Sequence, residues 1–280
     1  MSEQSRLFCD GTLAARIERA EARFIAKATE AAGRRAGTVS FAMPVAGGLA
    51  TYAEHESPFN KVVGLGFGGI PSETVLDDIE RAYAARGAPV QVELCHLADA
   101  AFGTFLTGRG YRLVSFENVL GRTAGTGPEQ VLPQGVEVRR SGDDELESWL
   151  EVVVDAVMHP DTQGSPSHDD LPREAIMRAE RDIEAAGVLR YVALRNGVVA
   201  GGGALHLAEG VAQFVGAATA PTHRRQGVQT ALLSARLADA AAAGCDVAVV
   251  TTQPGSTSQQ NVQRRGFDLL YTRAVLVKRP

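Results

Sequence analysis

The sequence predicts an α/β (α+β) chain built as two similar halves, each alternating strands with helices. Three observations carry this. The polar stretch Arg122–Gly135, RTAGTGPEQVLPQG, is rich in Gly, Pro and Thr and divides the chain. On either side of it, apolar periodicity gives the same order of elements, a helix, a strand and a short helix before a closing extended segment. That closing segment carries an internal echo. Arg109-Gly110-Tyr111-Arg112-Leu113-Val114 aligns with Arg265-Gly266-Phe267-Asp268-Leu269-Leu270, and Val119-Leu120 aligns with Val275-Leu276 at the same offset. A repeated order with an aligned motif predicts duplication, with domains at 1–122 and 135–280 and a linker at 123–134.

The N-terminal half opens with a helix over Thr12–Ala32, whose Leu13, Ile17, Phe24 and Ala28 share one face. Extended segments are expected at Thr38–Val45, Leu49–His55 and Lys61–Phe67. A helix over Ser72–Ala85 stops before Gly87, a residue suited to a left-handed cap. A strand over Val90–Cys95 and a short helix over Ala98–Thr107 follow. In the C-terminal half a strand at Val136–Arg139 precedes helices over Asp143–Val157 and Asp170–Ala185. Strands come next at Leu189–Arg195, Val198–Leu207 and Val211–Thr219, and Asn196-Gly197 between the first two signals a hairpin turn. A helix over Val228–Ala243 ends at Gly244. A strand at Asp246–Thr252, a short helix over Ser256–Arg264 and a final strand pair complete the chain.

Composition excludes several classes. The 280 residues are 45% hydrophobic and 22% charged, and the net charge is −5. No dense Lys/Arg run is present, which argues against a nucleic-acid partner. MSEQSRLFCDG lacks the cationic and apolar regions of a signal peptide. No apolar run approaches the roughly 18 residues of a membrane span, so a cytoplasmic protein is expected. Cys9, Cys95 and Cys245 are scattered, with no metal-binding spacing, and Cys95 and Cys245, in apolar strand-like runs, read as buried thiols in a reducing cytoplasm. His159 and His168 lie with three aspartates in 158–170, but their spacing matches no compact ligand motif, so no metal is expected.

The segment Thr219-Ala220-Pro221-Thr222-His223-Arg224-Arg225-Gln226-Gly227-Val228-Gln229-Thr230 leads from a strand into a helix. The first N–H groups of a helix have no internal acceptor and lie at the positive end of its dipole, which suits a diphosphate. Gly227 permits close backbone approach, Arg224 and Arg225 add charge, and no acid appears in the helix before Asp239. The same residues also describe an ordinary strand–loop–helix connection with solvated arginines.

From Arg224 onward this segment resembles the GCN5-related N-acetyltransferase (GNAT) family, whose signature is Gln or Arg, two residues, Gly, one residue, then Gly or Ala. It reads here Arg224-Arg225-Gln226-Gly227-Val228-Gln229, with Gln229 departing from the pattern. The resemblance covers about 135–280, and the N-terminal half looks like a divergent second copy. It implies two acyl-CoA N-acyltransferase-like domains, each a mixed, largely antiparallel sheet flanked by helices and splayed beside the loop. Pantetheine of acetyl-CoA, the co-substrate, would pair with Ala217, Ala218 and Thr219. The amides of about Arg225, Gln226, Gly227, Val228, Gln229 and Thr230 would hold the pyrophosphate, and Ser256, where an Asn is frequent, would hydrogen-bond to the cofactor. The reaction implied is direct attack of an amine, of a small molecule or a peptide, on the thioester, whose carbonyl a backbone N–H polarises.

The catalytic acid and base are not evident. A Tyr four residues before the Gly-Phe pair often acts as acid, and that position is Val262. Tyr271 is a candidate if it faces the cleft, and otherwise a packing aromatic. His159 is a second candidate, in the polar 158–171 connection that we expect to contact the acceptor. His206 and Trp149 read as core residues, and Glu209 as a turn residue. Without the acid, the alternative is a non-catalytic acyl-CoA-binding module. In the N-terminal half the equivalent junction, Gly66–Thr74, has no arginine, has Pro71 in place of a donor and has Glu73 in the first helical turn, so one cofactor site per chain is expected.

Overall fold

A computed structural model of the chain describes residues 6–125, 131–160, 163–165 and 171–280. Seven helices and eleven strands are assigned among them, as α1 (Gly11–Ala36), β1 (Phe41–Val45), β2 (Gly48–Tyr52), β3 (Lys61–Val63), α2 (Glu73–Ala84), β4 (Val90–Cys95), α3 (Ala101–Gly108), β5 (Arg112–Thr123), β6 (Val136–Arg140), α4 (Leu146–Met158), α5 (Arg173–Ala185), β7 (Leu189–Arg195), β8 (Val198–Ala208), β9 (Val211–Thr219), α6 (Val228–Ala242), β10 (Val247–Thr252), α7 (Thr257–Gln263) and β11 (Asp268–Lys278). The elements form two compact units that interleave in sequence. One comprises Met1–Phe8, Val119–Pro166 and Gly187–Leu269; the other comprises Cys9–Asn118, Ser167–Ala186 and Leu270–Pro280. We call them the C-terminal and the N-terminal unit. The N-terminal unit thus takes α5 and most of β11 from the second half of the chain.

In the N-terminal unit the strands run in the order β1-β2-β3-β4-β11. All neighbours are antiparallel except β3 and β4, which pair in parallel at Val62↔Val92. Its core gathers Val62, Leu76, Ile79, Tyr83, Val92, Phe102 and Leu276. Asp10 caps α1 by accepting from Leu13 N at 2.9 Å, and Gly37 ends the helix in the left-handed region.

In the C-terminal unit the order is β6-β7-β8-β9-β10, antiparallel except for the parallel β9–β10 pair. Asn196 and Gly197 both have positive φ, 51° and 78°, as a tight hairpin of the primed type requires. Trp149 on α4 lies against β8, where a Cβ on Gly202 would come within 2.2 Å of its Nε1, and the indole donates to Tyr191 O at 2.8 Å. The apolar face of α6, with Val228, Ala231, Leu232 and Ala235, packs with Tyr191, Leu205, Phe214 and Phe267. Trp149 and His206 are core residues, and Glu209 sits in a turn at φ 53°.

One element corrects the sequence reading. The final strand pair is a single strand, β11, running unbroken from Asp268 to Lys278. The segment LLYTRAVLVK contains no Gly, Pro or Asn at which a hairpin could turn. Among the described residues no helix is long and apolar enough to cross a membrane, and no group of His, Cys, Asp and Glu is arranged to hold a metal.

Candidate active site in the C-terminal unit

The site is built where β9 leaves β10. Their parallel pairing runs through Val247↔Val211, Ala248↔Ala212, Val249↔Gln213 and Val250↔Phe214, and goes no further. Beyond Phe214, β9 continues through Val215 to Thr219 without β10 in register, and Ala217 is exposed. The opposite edge of the same stretch stays paired with β8, but with a bulge. Gly202 faces Ala218 and Ala204 faces Val215, so Gly216 and Ala217 together oppose Gly203, and Gly216 takes φ 55°. A bulge of this kind frees and re-aims backbone groups. The sheet therefore opens along the strand that carries Ala217, Ala218 and Thr219, the three residues expected to meet a pantetheine chain.

The loop after β9 starts with a 3-10 turn at Pro221–His223, and Arg225 then adopts φ 60°, rare for a residue with a side chain. Gly227 follows at φ 84° and opens α6. The first backbone bond of the helix runs from Ala231 N to Gly227 O. The N–H groups of Val228, Gln229 and Thr230 thus have no intrahelical acceptor. No acidic residue lies in that first turn.

The side chains of the loop divide their tasks. Arg224 donates from Nη2 to Ala156 O at 3.3 Å and also to His159 O, so its guanidinium braces the C-terminal end of α4. Arg225 is exposed. Gln226 ties the loop to itself, Nε2 to Thr222 O at 3.1 Å. The carbonyl of the Gln229 amide accepts from the Asn261 side chain on α7, which directs Gln229 sideways along the helix pair. Gly227 is closed on one face, since a Cβ there would lie 2.5 Å from Pro133. Nothing local in the sequence links Pro133 to Gly227, and the sequence reading missed the contact.

The connection after α4 reaches the other side of the opening. Ser165 N donates to Pro254 O at 3.1 Å, Thr257 Oγ1 to Gln163 Oε1 at 3.4 Å, and Gly164 packs on Ser256, where a Cβ would come within 2.7 Å of its Cα. Ser256 caps α7, its hydroxyl oxygen accepting from Gln259 N at 3.1 Å. The end of α4 is thus held to the β9–α6 loop by Arg224, and Ser165 is held to the β10–α7 loop. His159 is exposed at the end of α4, its Nδ1 2.8 Å from Asp155 O and 3.4 Å from Asp155 Oδ1. His168 lies outside the described residues. Val262, where the family often has Tyr, is buried in the core.

Tyr271 has a different setting. It lies in the N-terminal unit, is fully buried, and its hydroxyl donates to Glu18 Oε1 at 2.7 Å. The same Glu18 oxygen accepts from Arg273 Nε at 2.7 Å, and Arg273 forks onto Glu21 at 3.0 and 2.6 Å. Glu93 and Glu117 approach Arg273 Nη1 at 3.7 and 3.8 Å, and Lys61 bonds to Glu93 at 2.5 Å. Burial, then the neighbouring Glu93 charge, pushes the Glu117 carboxyl up to about 8. Burial and Glu18 push the Tyr271 phenol well above its usual range. The packing role accounts for Tyr271.

The junction of the N-terminal unit is closed. Beyond the Val62↔Val92 pair, Asp99 N donates to Gly66 O at 3.3 Å, and a Cβ on Gly66 (φ 100°) would lie 2.2 Å from Ala98 Cβ. Ser72 caps α2 by accepting from Val75 N at 3.4 Å, and Glu73 stands in its first turn.

The comparisons agree with this geometry. The model of the acetyltransferase (GNAT) family matches residues 154–267. No curated protein matches the chain by sequence. Among solved structures, a GCN5-related N-acetyltransferase from Kribbella flavida is similar over 92% of this chain and 95% of its own, with TM-score 0.65 and 19% identity. One from Sphaerobacter thermophilus is similar over 79% and 72%, with TM-score 0.55 and 18% identity. A tandem GNAT protein of the clavulanic acid biosynthesis pathway is similar over 83% and 78%, with TM-score 0.59 and 11% identity. The structural overlap establishes a shared fold, and the family match locates the signature: over residues 154–267 this chain carries a domain of the acetyltransferase (GNAT) family.

Proposed function

We propose that the chain is an acetyl-CoA-dependent N-acetyltransferase acting on an amine of a small molecule or peptide, with one cofactor site, in the C-terminal unit. The observation that carries this is the parting of β9 from β10 after Phe214, directly before a helix whose first turn holds free N–H groups and no acid. These residues fit acetyl-CoA. The unpaired edge from Val215 to Thr219 offers amide groups to pantetheine, and the amides from about Arg225 to Thr230 face the pyrophosphate, with Arg225 adding charge. Arg224 serves the cofactor loop from behind, as a brace. Acetyl-CoA, when bound, supplies a thioester that an amine attacks directly, the C–N bond forming as the C–S bond breaks.

The chain's own task is to hold and deprotonate the amine. An alkyl amine with a pKa of about 10.4 is mostly protonated at neutral pH, so a base is required. His159, accessible and held by Asp155, suits that role, and the 158–171 connection is the segment we assign to the acceptor. We also take the chain to be a duplication joined at 123–134, in which the second copy keeps the site.

The buried Val262 favours a second reading, a non-catalytic acyl-CoA-binding module. One experiment separates them. Acetyl-CoA should raise the melting temperature, as any ligand selective for the folded state does, and a panel of amines should release free thiol from it. Stabilisation without thiol release selects the second reading, and no stabilisation refutes both.

A further inference from the structure

Arg236 on α6 is the one fully buried arginine of the C-terminal unit's described core that meets no carboxylate among the described residues. Its Nε donates to Leu232 O in its own helix at 3.1 Å, and Nη1 donates to Ala204 O at 3.2 Å. Its Cζ lies 4.6 Å from the centre of the Phe214 ring. Burial lowers its pKa to about 10, which leaves it charged at neutral pH. A buried cation without an acid is costly, and a Leu or Met would fill the same space.

The position of that cation is specific. Phe214 is the last β9 residue paired with β10, and Ala204 is the first β8 residue after the bulge. A Cβ built on Gly203 would lie 3.3 Å from both Cζ and Nη1 of Arg236 and 3.4 Å from Cβ of Ala217. The guanidinium and Ala217 therefore flank the same point. Ala217 is exposed at the opening, and the guanidinium of Arg236 is buried beside it on the same face of the sheet. A full positive charge thus stands beside the bulge of β9, where water cannot screen it.

We propose that Arg236 is a positioning residue for acyl transfer. It props the Gly216–Ala217 bulge through Ala204 O and Phe214, and its charge strengthens the N–H dipoles there that polarise the acyl carbonyl. The proposal rests on the reading of this unit as an acetyltransferase. Charge placed beforehand beside a developing oxyanion acts on the transition state more than on binding. The variant should therefore lose kcat and keep its acetyl-CoA affinity. A side chain kept only for packing behaves otherwise, since its loss lowers stability and leaves the carbonyl unaffected.

The test is a calorimetric titration with acetyl-CoA, followed by isotope-edited infrared spectroscopy of carbonyl-labelled acetyl-CoA bound to wild type, Arg236→Met and Arg236→Lys. Absence of binding to wild type overturns the acetyltransferase reading, and this proposal with it, before any variant is compared. With binding present, wild type should lower the carbonyl stretching frequency. Arg236→Met should lose at least half of that shift at unchanged affinity and an unchanged or higher melting temperature, with kcat down roughly tenfold. Arg236→Lys should restore most of the shift. If Arg236→Met does not fold, Arg236→Gln, which keeps a donor for Ala204 O, stands in the same comparison. An undiminished shift in the neutral variant, or a lysine variant as impaired as the neutral one, overturns the role of the charge.

Discussion

The two junctions that follow the parallel strands, one in each unit, have the same layout and opposite properties. After β9 the sheet opens, the loop places Gly227 at φ 84°, and α6 starts without an acid. After β3 the gap is bridged by the Asp99–Gly66 bond and filled by Ala98, Pro71 removes a donor, and Glu73 occupies the first turn of α2. Cap chemistry explains part of the contrast. Ser72 and Glu73 satisfy and stabilise a helix start on their own, whereas Gly227 offers α6 no side-chain cap. A helix start that is unfinished in the protein is available to a ligand, and one finished by its own side chains is not.

The comparison can be broken most forcefully in the N-terminal unit. Removing Arg273 as Arg273→Ala leaves Glu18, Glu21, Glu93 and Glu117 without their shared cation. It should cost about 3–5 kcal/mol in urea unfolding, with acetyl-CoA affinity in the surviving native fraction unchanged. A smaller loss would mean that the cluster is looser than its geometry.

The anion sites come next. Calorimetry should count one acetyl-CoA per chain, and a value near two would show that the N-terminal junction opens. Thr230→Glu, which gives α6 the acid that α2 already has, should weaken binding about tenfold, or roughly 1.4 kcal/mol. Gly227→Glu should abolish binding, but it also collides with Pro133, so Thr230→Glu is the cleaner comparison.

A pH series sharpens the contrast further. Glu117 has its pKa raised from 4.5 to about 8 in the folded protein. A raised carboxyl binds its proton more tightly when folded, so its contribution is fully present below about 4.5 and is lost as pH rises through about 8. Stability should fall across that window, and Glu117→Gln should flatten the fall, read from urea midpoints at each pH. The smallest effect is expected at His159. His159→Ala should leave acetyl-CoA affinity within about 0.5 kcal/mol while lowering turnover of the acceptor and changing its pH–rate profile. An unchanged pH–rate profile would remove His159 from the reaction.

Much of this was legible where the cause is local. β4, β7 and β9 fall where alternation and bounding Gly and Asn residues place them, and the start of α6 follows from Gly227 and the absence of acids. What was illegible depends on partners distant in the chain. Arg224 reads as a phosphate ligand until its carbonyl acceptors on α4 are seen, 65 and 68 residues away. Arg236 carries no local signal in the sequence, and only the folded sheet shows it beside the bulge. The expected strand pair at the end failed for another reason. A pair was expected there, although the segment holds no residue at which a hairpin could turn.

The membership of β11 in the N-terminal unit matters before the chain is finished. Cys9–Asn118 leaves the ribosome early, but the stretch of β11 that pairs with β4 lies within Leu270–Pro280. At about 5–20 residues per second, synthesis of Val119–Leu269 occupies roughly 8–30 s. Throughout that interval one edge of β4 has no partner, and Glu18, Glu21 and Glu93 have no arginine. An open edge of this kind recruits any strand of matching pattern. Until β11 arrives, that edge is a template on which a strand of another chain can pair.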